Sequence, residues 1–154
     1  MSPQSTDTAV QVSTAVAAPV EKAFRVFTDD IGSWWTPEHH ILQADLKEMV
    51  FEPRVGGHII DLGIDGSECR WSRVIAYEPP NRIVFSWDID LQWQIETDPA
   101  RTSEVEVRFT PEGQGTRVEL EHRGWEALAE GAAEKRADYD TGWGHVLGRF
   151  EARF

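Results

Sequence analysis

The sequence has 154 residues and a formal net charge of −12, from 27 acidic and 15 basic side chains. A chain of this length forms one compact domain that buries roughly 68 to 70 percent of its unfolded surface. Its lysines and arginines form no cluster, and nucleic-acid binding depends on such clusters, so the composition excludes a nucleic-acid partner. The acidic excess favours solubility.

The N-terminus and the cysteine content predict a cytoplasmic protein. Cys69 is the single cysteine, which excludes an internal disulfide and favours a reducing compartment. Residues 1–8 are polar and we expect them to be flexible, with a single domain over 9–154. No signal peptide is recognisable, and no stretch reaches the roughly 18 to 20 apolar residues of a membrane span.

The first elements are a strand and two short helices. Apolar and polar residues alternate over residues 10–16, which predicts a strand with one buried face. Pro19 suits the first turn of a helix, and "VEKAFRVFTDD" then spaces its apolar residues by three and four. "DDIGSWWTP" predicts a second short helix that ends before Pro37.

Turn signals separate alternating segments from Ile41 to His122, which predicts a meander of antiparallel strands. "DG" at residues 65–66 suits a two-residue hairpin turn. "RIVFSWDIDLQW" predicts one long strand with six apolar side chains on one face: Ile83, Phe85, Trp87, Ile89, Leu91 and Trp93. "SEVEVRF" and "TRVELEH" predict strands with one wet, charged face and one buried face.

The last segment, "YDTGWGHVLGRFEARF", predicts an amphipathic helix. Its apolar residues recur every three or four positions: Tyr139, Trp143, Val146, Phe150 and Phe154. Gly142, Gly144 and Gly148 surround Trp143, although glycine costs roughly 1 kcal/mol against alanine inside a helix. We expect them to mark close packing of the helix on the sheet, with room for a ligand as the alternative.

These elements predict an α+β class and a helix-grip fold. A curved antiparallel sheet of about six to seven strands is wrapped on a long C-terminal helix, with two short helices after the first strand. The last helix is the element long enough to cover the apolar face of the sheet. Because a curved sheet meets one helix along a line, space can remain on either side of it.

The sequence also resembles a known family. "PVEKAFRVFTDDIGSWW", the "GG" after "FEPRV", "WSRVIAYEPPNRIVFSW", "GTRVELEHRGW" and "YDTGW" stand in the order seen in the domain named after the activator of the Hsp90 ATPase. That domain is a branch of the helix-grip superfamily, with START and Bet v 1-like proteins. The resemblance runs from about Val10 to Phe154 and implies a cavity that holds an apolar or amphipathic small molecule.

The candidate ligand-binding residues are mostly large rings predicted to face the interior, where ligand pockets are rich in aromatic side chains. They are Trp35, Phe51, Trp71, Arg73, Phe85, Trp87, Trp93, His122, Trp143 and Phe150. Core packing is the alternative for the rings. His122 is in phase with buried residues and is expected to point inward, either as a hydrogen-bonded core histidine or as a ligand or proton-transfer group. Arg73 pairs with a ligand carboxylate, bridges strands or emerges at an edge of the sheet.

The segment "GSWWTPEHHI" places Trp34 beside Trp35, and adjacent side chains on a helix diverge by about 100 degrees. We therefore expect one indole to face the core and the other to close an opening. His39 and His40 are expected at the surface, because neighbours in an extended segment point to opposite sides.

No catalytic residue, metal site or cofactor is predicted. The chain lacks metal-ligand spacings and a GxSxG motif, and no helix N-terminus that would lower a thiol pKa is evident near Cys69. The first hypothesis is a non-catalytic domain that binds a hydrophobic or amphipathic small molecule. The alternatives are a cyclase or hydratase-like enzyme on a hydrophobic substrate, and an Hsp90 co-chaperone-like domain that binds a chaperone. A homodimer also stays open.

Overall fold

The computed structural model describes residues 9–35, 44–89, 94–98, 102–124 and 132–154, with side chains in the last range for Tyr139 and from residue 141 onward. Seven strands lie within these ranges: β1 (Val10–Val16), β2 (Leu46–Phe51), β3 (His58–Gly63), β4 (Glu68–Glu78), β5 (Arg82–Trp87), β6 (Ser103–Glu112) and β7 (Gly115–Arg123). The helices there are α1 (Val20–Thr28), a 3-10 helix (Ile31–Ser33) and α2 (Ala132–Glu151).

The strands form one antiparallel, curled sheet in the order β1-β7-β6-β5-β4-β3-β2. Consecutive strands from β2 to β7 are neighbours, as a meander requires, and β1 pairs with β7 from Val10 opposite His122 to Val16 opposite Thr116. The α+β class and the antiparallel meander predicted from the sequence are therefore confirmed.

The segment between β1 and β2 begins as the sequence predicts. Pro19 precedes α1 with a φ of −65°, and its carbonyl oxygen accepts from the backbone N–H of Ala23 at 3.0 Å. The apolar stripe of α1 is buried, including Phe24 and Phe27. The second short helix is a single 3-10 turn, Ile31–Ser33, which leaves the following tryptophans outside regular helix.

Two strand predictions need correction. The strand predicted over "RIVFSWDIDLQW" ends at Trp87, where the pairing with β6 also ends opposite Ser103, although the next backbone N–H, that of Asp88, still donates to the Trp71 carbonyl of β4 at 3.2 Å. Ile89 forms an isolated bridge with Ile95, whereas Leu91 and Trp93 lie outside the described residues. The "DG" connection is longer than two residues, since residues 64–67 join β3 to β4, with Gly66 at a φ of +88°.

Strand β4 does not keep one alternation along its length. Register shifts interrupt its pairing with β3 between Ile59 and Ile60, and its pairing with β5 between Val74 and Ala76. A bulge adds one residue to a strand and moves later side chains to the other face. Val74 is consequently buried and Ile75 exposed, although strict alternation from the buried Trp71 would place Ile75 inward.

Helix α2 packs on the inner face of the sheet. Trp143, Val146, Leu147 and Phe150 are buried there. At its C-terminal end the Arg149 Nε donates to the Trp34 carbonyl at 3.0 Å. No helix among the described residues has both the length and the apolarity of a membrane span.

On the outer face of the sheet, the carboxylate of Glu106 is buried, although the alternation predicts that it is exposed to solvent. Glu106 of β6 is 4% exposed and accepts from Arg82 Nε at 2.7 Å, from Arg108 Nε at 2.8 Å and from Arg123. Burial alone would raise the pKa of Glu106, but the hydrogen bonds from the three guanidinium groups outweigh it and lower that pKa to about 2. Three strands are thereby joined through one carboxylate.

Replacing Glu106 with glutamine should lower the free energy of unfolding by about 3 kcal/mol. The substitution removes the negative charge that forms ion pairs with three partly buried guanidinium groups. Urea unfolding at neutral pH measures the change. Glu119→Gln is the matched control, since Glu119 is half-exposed and lies 3.6 Å from Arg117; it should cost less than about 0.5 kcal/mol. Equal losses for the two variants would contradict this role of Glu106.

The glycines of α2 are not explained by close packing. Gly144 and Gly148 are exposed, and a Cβ added at either position would meet no atom within 4 Å. The prediction that these glycines mark contact with the sheet is wrong for both positions, and it stays a prediction for Gly142. In contrast, a Cβ at Gly57 would lie 2.7 Å from the Glu52 Cβ, so glycine is sterically required in the turn before β3.

Alanine at Gly144 or Gly148 should therefore raise the free energy of unfolding, by up to about 1 kcal/mol each, because alanine has the higher helix propensity and meets no steric obstacle. Alanine at Gly57 should lower it. Thermal and urea unfolding of the three variants measure these signs. Destabilisation by the two helix substitutions would show that the helix needs glycine for another reason.

Candidate functional site

Four indoles from four parts of the chain meet between the sheet and α2. Trp35 follows the 3-10 helix, Trp71 lies on β4, Trp87 on β5 and Trp143 on α2. Ring centroids are 5.4 Å apart for Trp35 and Trp71, 5.4 Å for Trp71 and Trp87, and 5.3 Å for Trp87 and Trp143. Trp35 and Trp143 close the circuit at 5.9 Å. We call these four residues the tryptophan cluster.

Both tryptophans of the "GSWW" corner point inward, so the prediction that one of them closes an opening is wrong. Trp34 is 1% exposed and packs on Phe27 of α1 and Phe150 of α2, with its Nε1 donating to the Val26 carbonyl at 3.0 Å. Trp35 is 4% exposed and joins the tryptophan cluster. The chain leaves the 3-10 helix at Trp34, and the two indoles stay in contact inside one interior, with ring centroids 5.7 Å apart.

His122 links α2 to the sheet. Pairing aligns Phe85, Val105, His122 and Val10 across β5, β6, β7 and β1, which places His122 on the inner face as predicted. The Trp143 Nε1 lies 3.0 Å from His122 Nδ1, and His122 Nε2 lies 2.7 Å from Ser103 Oγ. Because an indole nitrogen can only donate, Nδ1 must accept, and the proton of the neutral ring is on Nε2 and points to Ser103.

This arrangement opposes proton transfer by His122 near neutral pH. The side chain is fully buried, and burial lowers its pKa to about 3. Protonation would also require Nδ1 to carry a hydrogen where the Trp143 N–H now points. Ser103 gains no nucleophilicity either, since the neighbouring Nε2 donates to it instead of removing its proton. The geometry supports the hydrogen-bonded core histidine of the sequence analysis.

Two other members of the tryptophan cluster also donate to polar side chains. Trp87 Nε1 donates to the Tyr139 hydroxyl at 3.2 Å, and the Tyr139 ring packs against both Trp87 and His122. Trp71 Nε1 donates to Asp61 Oδ1 at 3.1 Å. Tyr139 is only partly buried, whereas Asp61 is 1% exposed. The cluster therefore combines an apolar surface with oriented hydroxyl, imidazole and carboxylate groups.

The predicted phenylalanines are buried, but they are not all brought to this cluster. Phe85 packs edge-on against Trp71 at 6.4 Å. Phe150 contacts Phe27 and Trp34, and Phe51 lies 6.5 Å from Tyr77, so both belong to the core around α1. Of the ring residues predicted to bind ligand, Trp93 lies outside the described residues, as do His39 and His40.

Arg73 bridges structural elements, which was one of its three predicted roles. Its Nε and Nη2 donate to the two carboxylate oxygens of Asp88 at 3.0 and 2.9 Å, and Nη2 also donates to Thr102 Oγ1 at 3.2 Å. The hydrogen bond to Asp88 raises the pKa of Arg73. Its guanidinium is thus held by an internal carboxylate.

Sequence reasoning missed three polar residues of the site. Tyr139 was assigned to the helix stripe without a role, and the sequence analysis singled out neither Ser103 nor Asp61. A signal was available for Asp61, since a carboxylate interrupts the apolar segment "HIIDLGI". No group of three or more histidine, cysteine, aspartate or glutamate side chains among the described residues is arranged to hold a metal ion.

Comparison with known proteins identifies the family. The model of the family described as "Activator of Hsp90 ATPase homolog 1-like protein" matches residues 17–154. The chain belongs to this family. No curated protein matches the sequence.

Among solved structures, the Activator of Hsp90 ATPase homolog 1-like chain is similar to one described as an anthrahydroquino-Gama-pyrone synthase, Txn09, complexed with SUM. Identity is 39%, coverage is 95% of this chain and 96% of that one, and the TM-score is 0.67. CalU16 from Micromonospora echinospora is 25% identical, over 92% of this chain and 72% of that one, with a TM-score of 0.59. Protein MLL2253 from Mesorhizobium loti is 23% identical over 94% of this chain and 94% of that one, with a TM-score of 0.62. At this identity the similarity supports the fold alone.

Folding stability should fall as the pH is lowered from neutrality. The unfolded state binds a proton at His122 near pH 6.5, whereas the folded state binds it only near pH 3. Protonation of the unfolded chain therefore lowers the free energy of unfolding as the pH falls below 6.5, and has no effect above it. The slope should approach about 1.4 kcal/mol per pH unit.

Urea unfolding at about pH 7 and about pH 5, above the usual range of glutamate, measures this slope. His122→Gln is the matched variant, because an amide can accept from Trp143 and donate to Ser103 without titrating. The variant should lose less stability over this range than the wild type. Equal slopes would show that His122 does not stay neutral in the folded protein.

Proposed function

We propose that this domain binds a planar, hydrophobic aromatic molecule at the tryptophan cluster, between the sheet and α2. The observation that carries the proposal is the chemistry of the interior. Three indoles each donate to a different polar side chain, Asp61, His122 or Tyr139. Buried polar groups cost free energy unless they are hydrogen-bonded, and ligand pockets combine aromatic walls with a few oriented polar groups.

A ligand would bind at this site by replacing contacts between the indole rings. The tryptophan cluster is almost completely buried, and Tyr139 is its partly exposed neighbour. A flat aromatic ligand that enters beside Tyr139 would replace contacts between indoles with contacts between indole and ligand. The 39% identical synthase, which is described as complexed with SUM, supports the use of this fold to hold a small molecule.

A second candidate function, closure of an oxygen-containing ring, is supported by the description of the same relative as a pyrone synthase. An aryl 1,3-diketone with an ortho hydroxyl group closes to a γ-pyrone with loss of one water. Faster closure of such a compound with the protein than without it, followed by its absorption spectrum, would support an enzyme. Unchanged recovery of the compound would support binding alone. His122 is not the expected proton carrier, because Nδ1 already accepts from Trp143.

A dihydroxyanthraquinone should bind with saturation in isothermal titration calorimetry, and Trp87→Phe should weaken binding about threefold to tenfold through loss of indole contact area. Phe109→Leu is the control, since Phe109 is equally buried but packs on Phe24 and Phe27 of α1. It should leave the affinity unchanged. Absence of saturable binding, or equal losses in the two variants, would contradict the proposed site.

A further inference from the structure

Ser103 is a buried serine beside the tryptophan cluster. It begins β6 directly opposite Trp87 of β5, so the two side chains share the inner face of the sheet. Its exposed fraction is 0%. Gly124 follows β7 on the other side of Ser103, and a Cβ added there would lie 3.8 Å from the Ser103 Cβ. Glycine therefore places no side chain over the serine at that position.

The hydrogen bond with His122 fixes the direction in which the Ser103 hydroxyl donates. Trp143 Nε1 donates to His122 Nδ1 at 3.0 Å, so the ring proton is on Nε2, which lies 2.7 Å from Ser103 Oγ. The serine oxygen accepts this bond. Its own proton therefore points away from His122 and needs a different acceptor.

Other buried hydroxyl groups of this protein donate to backbone carbonyl oxygens, as Ser72 does at 2.6 Å and Thr116 at 2.8 Å. Among the residues that the structure describes, the Ser103 hydroxyl has no hydrogen-bond partner besides His122. A buried donor without an acceptor costs free energy. Because this donor lies among aromatic rings at the proposed site, a ligand can supply the acceptor.

We propose that the Ser103 hydroxyl donates a hydrogen bond to a carbonyl oxygen of the ligand, which restricts the ligand class to planar aromatic molecules with a carbonyl at the ring edge, such as quinones and pyrones. This inference rests on the proposed function, because it requires a ligand at the tryptophan cluster.

The position of Ser103 suits this role. Residues directly opposite each other in an antiparallel pair have Cβ atoms roughly 4.5 to 5.5 Å apart. A flat ligand packed on the Trp87 indole would therefore have its edge near the Ser103 hydroxyl. Trp143 donates to His122 and His122 donates to Ser103, so the last proton of the series is directed at the ligand. A carbonyl oxygen, which can only accept, completes that series.

The physical basis of the selectivity is the burial of the donor in the free protein. Because Ser103 is already removed from water, its hydroxyl is not desolvated further when a ligand binds, and the new hydrogen bond adds to the affinity. A ring system of the same shape without a carbonyl leaves the proton unsatisfied. Sites built to form a hydrogen bond discriminate strongly against analogues that lack the partner group.

Isothermal titration calorimetry with two probes tests the inference: a dihydroxyanthraquinone whose hydroxyls are remote from the quinone carbonyls, and the dihydroxyanthracene with the same hydroxyl positions. The anthracene is the more apolar probe, so apolar burial alone would favour it. The wild type should nevertheless bind the quinone at least about tenfold more tightly. Ser103→Ala should reduce this preference to less than about threefold by weakening quinone binding alone.

Ser86→Ala is the matched control. Ser86 is equally buried and accepts from the Arg73 backbone N–H, but it alternates with Phe85 and Trp87 and so lies on the opposite face of the sheet. This variant should keep the wild-type preference. Infrared spectroscopy gives a second readout, because a hydrogen bond weakens the C=O bond: the carbonyl band of the bound quinone should lie at lower frequency in the wild type than in Ser103→Ala.

The wild-type comparison needs no variant and keeps the inference testable if Ser103→Ala does not fold, which thermal unfolding checks. Equal or tighter binding of the anthracene by the wild type would overturn the inference while leaving the proposed function intact. An unchanged preference and carbonyl band in folded Ser103→Ala would also overturn it, by assigning carbonyl recognition to another donor. Binding of neither probe by the wild type would instead contradict the proposed function itself.

Discussion

The hydrogen bonds from Trp143 through His122 to Ser103 determine how the last helix lies on the sheet. They join α2 to β7 and β6 through one fully buried imidazole whose two nitrogens have opposite roles. Charging the ring would put two donors face to face, so the fold depends on a neutral histidine. With Trp143 fixed in this way, Tyr139 lies against Trp87, and Phe150 reaches Trp34 at the other end of the helix.

Much of the fold could be predicted from sequence because hydrophobic periodicity reports which face of an element is buried. The inward position of His122 and the stripe of Trp143 and Phe150 follow from that pattern. It fails where the backbone departs from regular geometry. The register shifts in β4 exchange the faces of Val74 and Ile75, and the end of the 3-10 helix lets Trp34 and Trp35 both enter the core.

The sequence predicted the aromatic rings of the candidate site but not their polar partners, for a different reason. Large rings are conspicuous, and Trp35, Trp71, Trp87 and Trp143 do meet. Two of the polar partners lie far from their indoles in the sequence, since Trp143 donates to His122 and Trp87 to Tyr139, and a single sequence gives no sign of such pairing. Alternation predicts the direction in which Asp61 and Glu106 point, but not the hydrogen-bond donors that stabilise these carboxylates in buried positions.

The family description names a chaperone activator, while a 39% identical relative is described as a synthase, so membership defines the fold more closely than the activity. The interior supplies the more specific argument. The core around α1 consists largely of phenylalanine rings, with Trp34 and Tyr77 packed beside them. The tryptophan cluster instead lies against a phenol, an imidazole and a carboxylate, which are groups able to orient a ligand.

The ¹⁵N chemical shifts of the His122 imidazole, measured by NMR at about pH 5, test the central claim most directly. A free histidine is largely protonated at this pH. The structure predicts a neutral ring with its proton on Nε2 and with Nδ1 accepting from the Trp143 indole. An imidazolium, or a neutral ring protonated on Nδ1, would contradict the account of how α2 is held on the sheet.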